Sequence, residues 1–100
     1  MISEKRWVPT GDAAERLAID ALTFLAGEPE AFGRFLALTG MEPESLRSAA
    51  ADPEFLRGVL DYLVGDEPLL LLYAAHAGIP ADRVVMAQAA LARGEPERRR

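Results

Sequence analysis

The chain has 100 residues, half of them apolar, and a formal net charge of −5; this length and composition predict one ordered domain with a single hydrophobic core. It contains no cysteine, which excludes disulfides, thiolate catalysis and cysteine-ligated zinc. The excess of acidic residues argues against nucleic-acid binding, which draws much of its affinity from Lys and Arg contacts to phosphate.

No part of the sequence predicts a secretory signal or a membrane-spanning helix. The first residues, MISEKRWVPTG, lack an apolar stretch followed by a small-residue cleavage site. The most apolar run, 69–77, would extend about 14 Å as a helix, whereas a spanning helix needs about 20 apolar residues. We therefore expect a cytoplasmic protein, and the absence of cysteine suits that reducing compartment.

Capping and periodicity signals predict the first two helices. Asp12 followed by Glu15 has the spacing of a capping box, and Gly27 ends the first helix. Pro29 then opens a second helix, which ends at Gly40. The apolar residues of the first helix recur at three- and four-residue steps: Ala14, Leu17, Ala18, Ala21, Leu22 and Leu25.

The same punctuation predicts four further helices, over about 43–51, 52–65, 66–78 and 80–94. No stretch alternates apolar and polar residues over the length of a strand, so the predicted fold class is all-α. We expect a compact bundle of five or six short helices over residues 11–93, an N-terminal extension over 1–10, and a flexible C-terminal tail over 94–100. The leucine-rich fifth helix is apolar all round, which predicts that it fills the middle of the bundle.

His76 is the only histidine and the main candidate for chemistry. It has no Asp or Glu within four residues to orient it as a base, and no second histidine for a metal pair. The neighbouring carboxylates Asp66 and Glu67 are explained as helix caps. We therefore predict a structural or rim histidine, with no catalytic residue, no metal ligand and no cofactor; a small enzyme built on His76 would need a polar pocket around it.

A helix-turn-helix is the alternative interpretation of RFLALTGMEPESLRSAA, where two short helices meet at a glycine. A DNA-binding protein of this kind predicts that Arg34, Arg47 and Arg57 share one exposed face. The acidic residues at the start of its second helix, Glu42 and Glu44, argue against it, because Arg47 alone opposes them. Arg34 is expected to pair with Glu30, four residues earlier. A plain helical corner explains the segment better.

The favoured function is that of a non-enzymatic interaction or regulatory module that binds a protein partner or a second copy of itself. The apolar content is high for so short a chain, so an apolar patch is expected to remain at the surface, with four aromatic residues as candidates: Phe32, Phe35, Phe55 and Tyr62. Trp7 is expected to cover the open end of the bundle; the alternative is that it anchors a partner. The sequence identifies no small-molecule ligand.

Three pieces of the sequence resemble a known family: RFLALTG, LRSAAADPEFLRGVLDYL, and the DEP before the leucine run. Together with the helix order over about residues 13–90, they are similar to a family of small alphaproteobacterial proteins, the domain of unknown function DUF3572. The resemblance implies a compact cytoplasmic helical protein without an established activity or cofactor. It supplies no catalytic residues to carry over to this chain.

Overall fold

The computed structural model describes residues 7–94, and in this part of the chain the regular structure is entirely helical. The helices are α1 (Gly11–Ala26), α2 (Pro29–Thr39), a 3₁₀ turn (Pro43–Ser45), α3 (Leu46–Ala49), α4 (Pro53–Val64), α5 (Glu67–Ala77) and α6 (Ala81–Arg93). The predicted all-α fold is confirmed. The predicted C-terminal tail, apart from Gly94, and the first six residues of the predicted N-terminal extension lie outside the described residues.

Side-chain caps fix the starts of three helices. Asp52 accepts a hydrogen bond from the Glu54 N–H at 3.0 Å, and Asp66 accepts one from the Leu69 N–H at 3.2 Å, as the sequence predicts. At α1 the predicted capping residue is wrong. Thr10, in an extended conformation, accepts from the Ala13 N–H at 3.1 Å and caps the helix, so Asp12 lies inside its first turn.

The core lies where α1, α4 and α6 pack against one another. Their inward faces are apolar and almost completely buried: Ala14, Ala18, Ala21 and Leu25 of α1; Leu56, Val59, Leu60 and Leu63 of α4; Val84, Ala87 and Ala90 of α6. The alanines of α1 and α6 permit close approach, because interaxial distance depends on the side chains at the contact. No charged or polar residue is buried among the described residues.

The fifth helix does not occupy the position predicted for it. α5 buries Leu69 and Leu70 on one side, whereas Leu71 and Leu72 on the other remain 51% and 50% exposed. The Cα trace is only 17 Å thick along its shortest axis, which leaves room for about two layers of helices whose axes lie about 8–10 Å apart. The molecule is therefore too thin to surround α5, which packs at the edge of the core instead of filling its middle.

Glycines close α2 and α5 as the sequence predicts. Gly40 and Gly78 both have φ of 71°, in the left-handed region that favours glycine. The Gly40 N–H donates to the Leu36 carbonyl oxygen at 2.8 Å, which satisfies one carbonyl at the end of α2. Gly40 therefore ends α2.

Among residues 7–94, no single helix combines the length and hydropathy required to cross a bilayer. Only α5 and α6 taken together reach that length and composition, and the two helices are bent by 106° relative to each other.

Candidate interaction surface

One side of α5 presents apolar side chains to solvent. Pro68, Leu71, Leu72 and Ala75 are spaced three and four residues apart, so they share one side of the helix, and all four are exposed. The opposite side carries the buried residues. We call these four residues the α5 face. α5 is apolar on both sides, but the fold buries only one of them. The other side is an apolar surface that stays exposed to solvent in the folded protein.

An open groove of about 780 Å³ adjoins the α5 face. We call it the α2–α5 groove, and its lining comes from α2, from the end of α4 and from the start of α5: Arg34, Ala37, Leu38, Asp61, Tyr62, Gly65, Asp66, Glu67 and Pro68. Leu38 projects from α2 with 74% of its surface exposed. Pro68 belongs to both the groove and the α5 face, so the two form one continuous surface.

Aromatic contacts hold the wall of the groove in place. The Tyr62 hydroxyl donates to the Ala31 carbonyl oxygen at 3.1 Å and so ties α4 to α2. Phe35 is buried beneath, with its ring centroid 5.3 Å from that of Tyr62 and 5.9 Å from that of Phe55. The aromatic patch predicted from the sequence is therefore not the exposed surface. Phe35 is core, Phe32, Phe55 and Tyr62 are partly buried against it, and leucines supply the exposed apolar area.

The charged rim of the groove is acidic. Arg34 forms an ion pair with Asp66, with Nη2 and Oδ2 3.8 Å apart, so the predicted pairing of Arg34 with Glu30 is not the one that forms. Asp61 accepts a hydrogen bond from Gln88 at 2.8 Å and lies 3.6 Å from the Arg57 guanidinium. Glu67 has no ion-pair partner among the described residues. The groove thus carries three carboxylates and one guanidinium.

Trp7 packs on α6. Its ring is partly buried against the core, and the Arg83 guanidinium carbon lies 5.0 Å from the ring centroid, at cation–π distance. Trp7 also lines a smaller cavity of about 210 Å³ with Val8, Met86 and other residues of this end. The tryptophan therefore covers the core here, and it does not line the α2–α5 groove.

His76 is exposed in the last turn of α5, against the ring of Phe24 at a centroid distance of 5.0 Å. Phe24 also contacts Tyr73, at 5.3 Å. Neither the α2–α5 groove nor the Trp7 cavity is lined by His76. Within the described residues, no group of three or more His, Asp or Glu side chains is arranged to hold a metal ion.

Tyr73 is the most strongly perturbed titratable group in this region. Its ring is buried and its hydroxyl donates to Asp20 at 2.7 Å, which joins α5 to α1. Burial, together with this hydrogen bond and the nearby negative charge, raises the pKa of the Tyr73 phenol well above its usual value. The group therefore stays protonated and acts as a structural donor.

The segment considered for helix-turn-helix binding forms a different local structure. Its second helix consists of one 3₁₀ turn and the four residues of α3, about 6 Å of α-helix at 1.5 Å per residue. Two of the three arginines are paired with carboxylates, Arg34 with Asp66 and Arg57 with Asp61. A single turn with paired arginines does not provide a recognition helix for the major groove.

Comparison with known proteins gives one match. The model of a family described as proteins of unknown function, DUF3572, matches residues 11–94. The chain belongs to the DUF3572 family. The match spans α1 to α6, so the helices that build the α2–α5 groove all lie within the family domain. No curated protein and no solved structure matches the chain.

Proposed function

We propose that this DUF3572 protein is a non-enzymatic interaction or regulatory module that binds a protein partner through the α5 face and the α2–α5 groove. The observation that carries the proposal is the exposure of three leucines, with Leu38 in the α2–α5 groove and Leu71 and Leu72 on the α5 face that adjoins it at Pro68. Each of these large side chains is at least half exposed. Elsewhere among the described residues, Val8 is as exposed as Leu38, whereas Ile19 and Val85 are less than half exposed. Such surfaces mark interaction sites in small proteins.

Burial of the exposed leucines would contribute part of the free energy of binding. Complete burial of a leucine side chain stabilises by about 1.5–3 kcal/mol. Leu38 is three-quarters exposed, and Leu71 and Leu72 are half exposed, so a partner would gain about 1–2 kcal/mol at Leu38 and about 1 kcal/mol at each of the others.

Site-specific photocrosslinking in living cells tests the proposal. A photoreactive benzoylphenylalanine in place of Leu38 or Leu71 is expected to give a discrete crosslinked species of higher mass. The same replacement at Val8, which is 73% exposed but outside the surface, is the matched control and should give none. Absence of any crosslink from Leu38 and Leu71, or equal crosslinking from Val8, would refute the proposal.

The proposal assigns no catalytic role to His76 and keeps the cytoplasmic location expected from the sequence. Nothing among the described residues favours the DNA-binding alternative. Of its three arginines, Arg34 lines the α2–α5 groove and is paired with Asp66, whereas Arg47 and Arg57 do not line the groove. Binding to DNA with a steep dependence on salt would overturn this assignment.

A further inference from the structure

We propose that the occupant of the α2–α5 groove is a basic amphipathic helix of a partner protein. This inference rests on the proposed function and specifies the chemistry of the partner. It is carried by the combination of an apolar floor and a strongly acidic rim on one surface.

The negative charge of the molecule is concentrated in residues 7–94. Residues 7–94 contain thirteen Asp and Glu residues and six arginines, with no lysine, which gives this part a formal charge of −7. The groove carries Asp61, Asp66 and Glu67 against Arg34. A second open cavity, of about 420 Å³, shares Arg34 with the groove and adds Glu28 and Glu30. Five carboxylates and one guanidinium therefore border the surface.

Most of these carboxylates have no ion-pair partner within residues 7–94. Arg34 is engaged by Asp66, and Asp61 is held by Arg57 and Gln88. Glu28, Glu30 and Glu67 have no ion-pair partner among the described residues. A ligand that supplied Lys or Arg to these three positions would find complementary charge, which favours both association rate and specificity.

The shape of the floor suits a helix. Arg34, Ala37 and Leu38 follow one another at three- and one-residue steps on the same side of α2, and Pro68 faces them from the start of α5. A helix laid between these walls would place apolar residues at i, i+3, i+4 and i+7 on Leu38 and the α5 face. Lysine or arginine side chains on its flanks can lie along the apolar floor and reach the acidic rim.

A second copy of this chain fits the surface less well. In a two-fold symmetric contact the same patch lies on both sides of the interface, so the acidic rim that carries Glu28, Glu30 and Glu67 would face a second copy of itself. Each copy has a net charge of −5, and like charges placed together at an interface disfavour that pairing. A basic partner avoids this repulsion.

The test uses a synthetic helical peptide of about 18 residues with leucine at i, i+3, i+4 and i+7 and lysine elsewhere, and a second peptide with glutamate in place of lysine. Fluorescence anisotropy with the full-length protein is expected to detect binding of the lysine peptide alone. Its affinity should fall about tenfold or more between about 50 and 500 mM salt, because the contacts are exposed and screened.

Matched variants separate docking in the groove from general attraction to an acidic protein. Leu38→Ser should weaken binding of the lysine peptide about tenfold, whereas Val8→Ser, of equal exposure outside the groove, should leave it unchanged. Glu67→Gln should weaken binding about threefold, whereas Asp82→Asn, which removes the equivalent first-turn acid of α6, should not. Equal affinity in Leu38→Ser and Val8→Ser, or binding of the glutamate peptide, would overturn the proposal.

The failure of this inference is distinguishable from that of the proposed function. If Leu38 crosslinks to a protein in cells but the lysine peptide does not bind, the partner chemistry is wrong and the interaction surface stands. If sedimentation equilibrium shows a dimer that Leu38→Ser dissociates, the occupant is a second copy and the basic helix is refuted. If no crosslink forms and no peptide binds, both proposals fail.

Discussion

Two leucine-to-alanine substitutions test whether the core lies between α1, α4 and α6 with α5 at its edge. Leu60 of α4 is completely buried, whereas Leu72 of α5 is 50% exposed. The sequence alone predicts α5 in the middle, where Leu72 would be as important as Leu60. The structure instead makes the two positions energetically different.

The expected magnitudes follow from burial. Leu60→Ala removes a fully enclosed side chain from a close-packed site, which costs about 2.7–5 kcal/mol including the cavity left behind. Leu72→Ala removes a side chain that keeps half its surface in water and leaves no closed cavity. Its cost is about 1 kcal/mol or less, reduced further by the higher helix propensity of alanine.

Urea unfolding followed by circular dichroism measures both costs in one series. Leu60→Ala should lower the free energy of unfolding by a large part of the roughly 5–15 kcal/mol typical of a domain, with an unchanged denaturant slope, and Leu72→Ala should shift the midpoint only slightly. If Leu60→Ala proves too unstable to measure, Val59→Ala serves as the buried member, since Val59 is also fully enclosed. Equal costs at the buried position and at Leu72 would refute the assignment of the core.

Three further predictions concern the helix ends and the buried phenol. Gly40→Ala should destabilise the protein by about 1–2 kcal/mol, because φ of 71° is strained for any residue with a side chain. Gly33→Ala, with open space around its Cβ inside α2, should instead stabilise the protein by about 0.5–1 kcal/mol. Thermal unfolding measures both changes, and a change of the same sign in the two variants would contradict the left-handed conformation assigned to Gly40. Thr10→Ala should cost about 1 kcal/mol and Asp12→Ala only a few tenths, because Thr10 makes the cap of α1; the reverse order in urea titrations would show that Asp12 is the cap. The folded protein keeps Tyr73 protonated above pH 10, whereas the phenol of the unfolded chain, with its ordinary pKa of 10.0, loses its proton there. The stability contributed by this group is therefore complete below about pH 10 and falls by at most about 1.4 kcal/mol per pH unit above it. Tyr73→Phe should lack this pH dependence, and an identical alkaline slope of the unfolding free energy in the wild type and the variant would refute the prediction.

Most of the helix boundaries can be predicted from the sequence because their causes are local. Asp52 and Asp66 cap their helices through hydrogen bonds that span two and three residues, and Gly40 closes α2 through its own backbone conformation. The error at the start of α1 was also local. Thr10 and Asp12 are both good caps, and the sequence pattern did not show which one takes the extended conformation.

The candidate surface depended on contacts that the sequence does not display. Arg34 lies four residues from Glu30, yet its partner is Asp66, which the packing of α2 against the start of α5 brings within 3.8 Å. No sequence pattern marks Leu38 as exposed, since it lies three residues after Phe35 of the buried face of α2. A spacing argument gives neighbours on one helix, but it does not give neighbours on different helices.

The sequence by itself determined that this chain is a set of short helices and where those helices end, because caps, prolines, glycines and periodicity act over a few residues. The order of its motifs also identified the family. Only the tertiary structure decided that α1, α4 and α6 form the core and that half of α5 stays in water. α5 is apolar on every side, so its composition does not specify which side packs on the core. The thin molecule has too few neighbouring helices to cover all of α5, and the packing decides which side stays exposed.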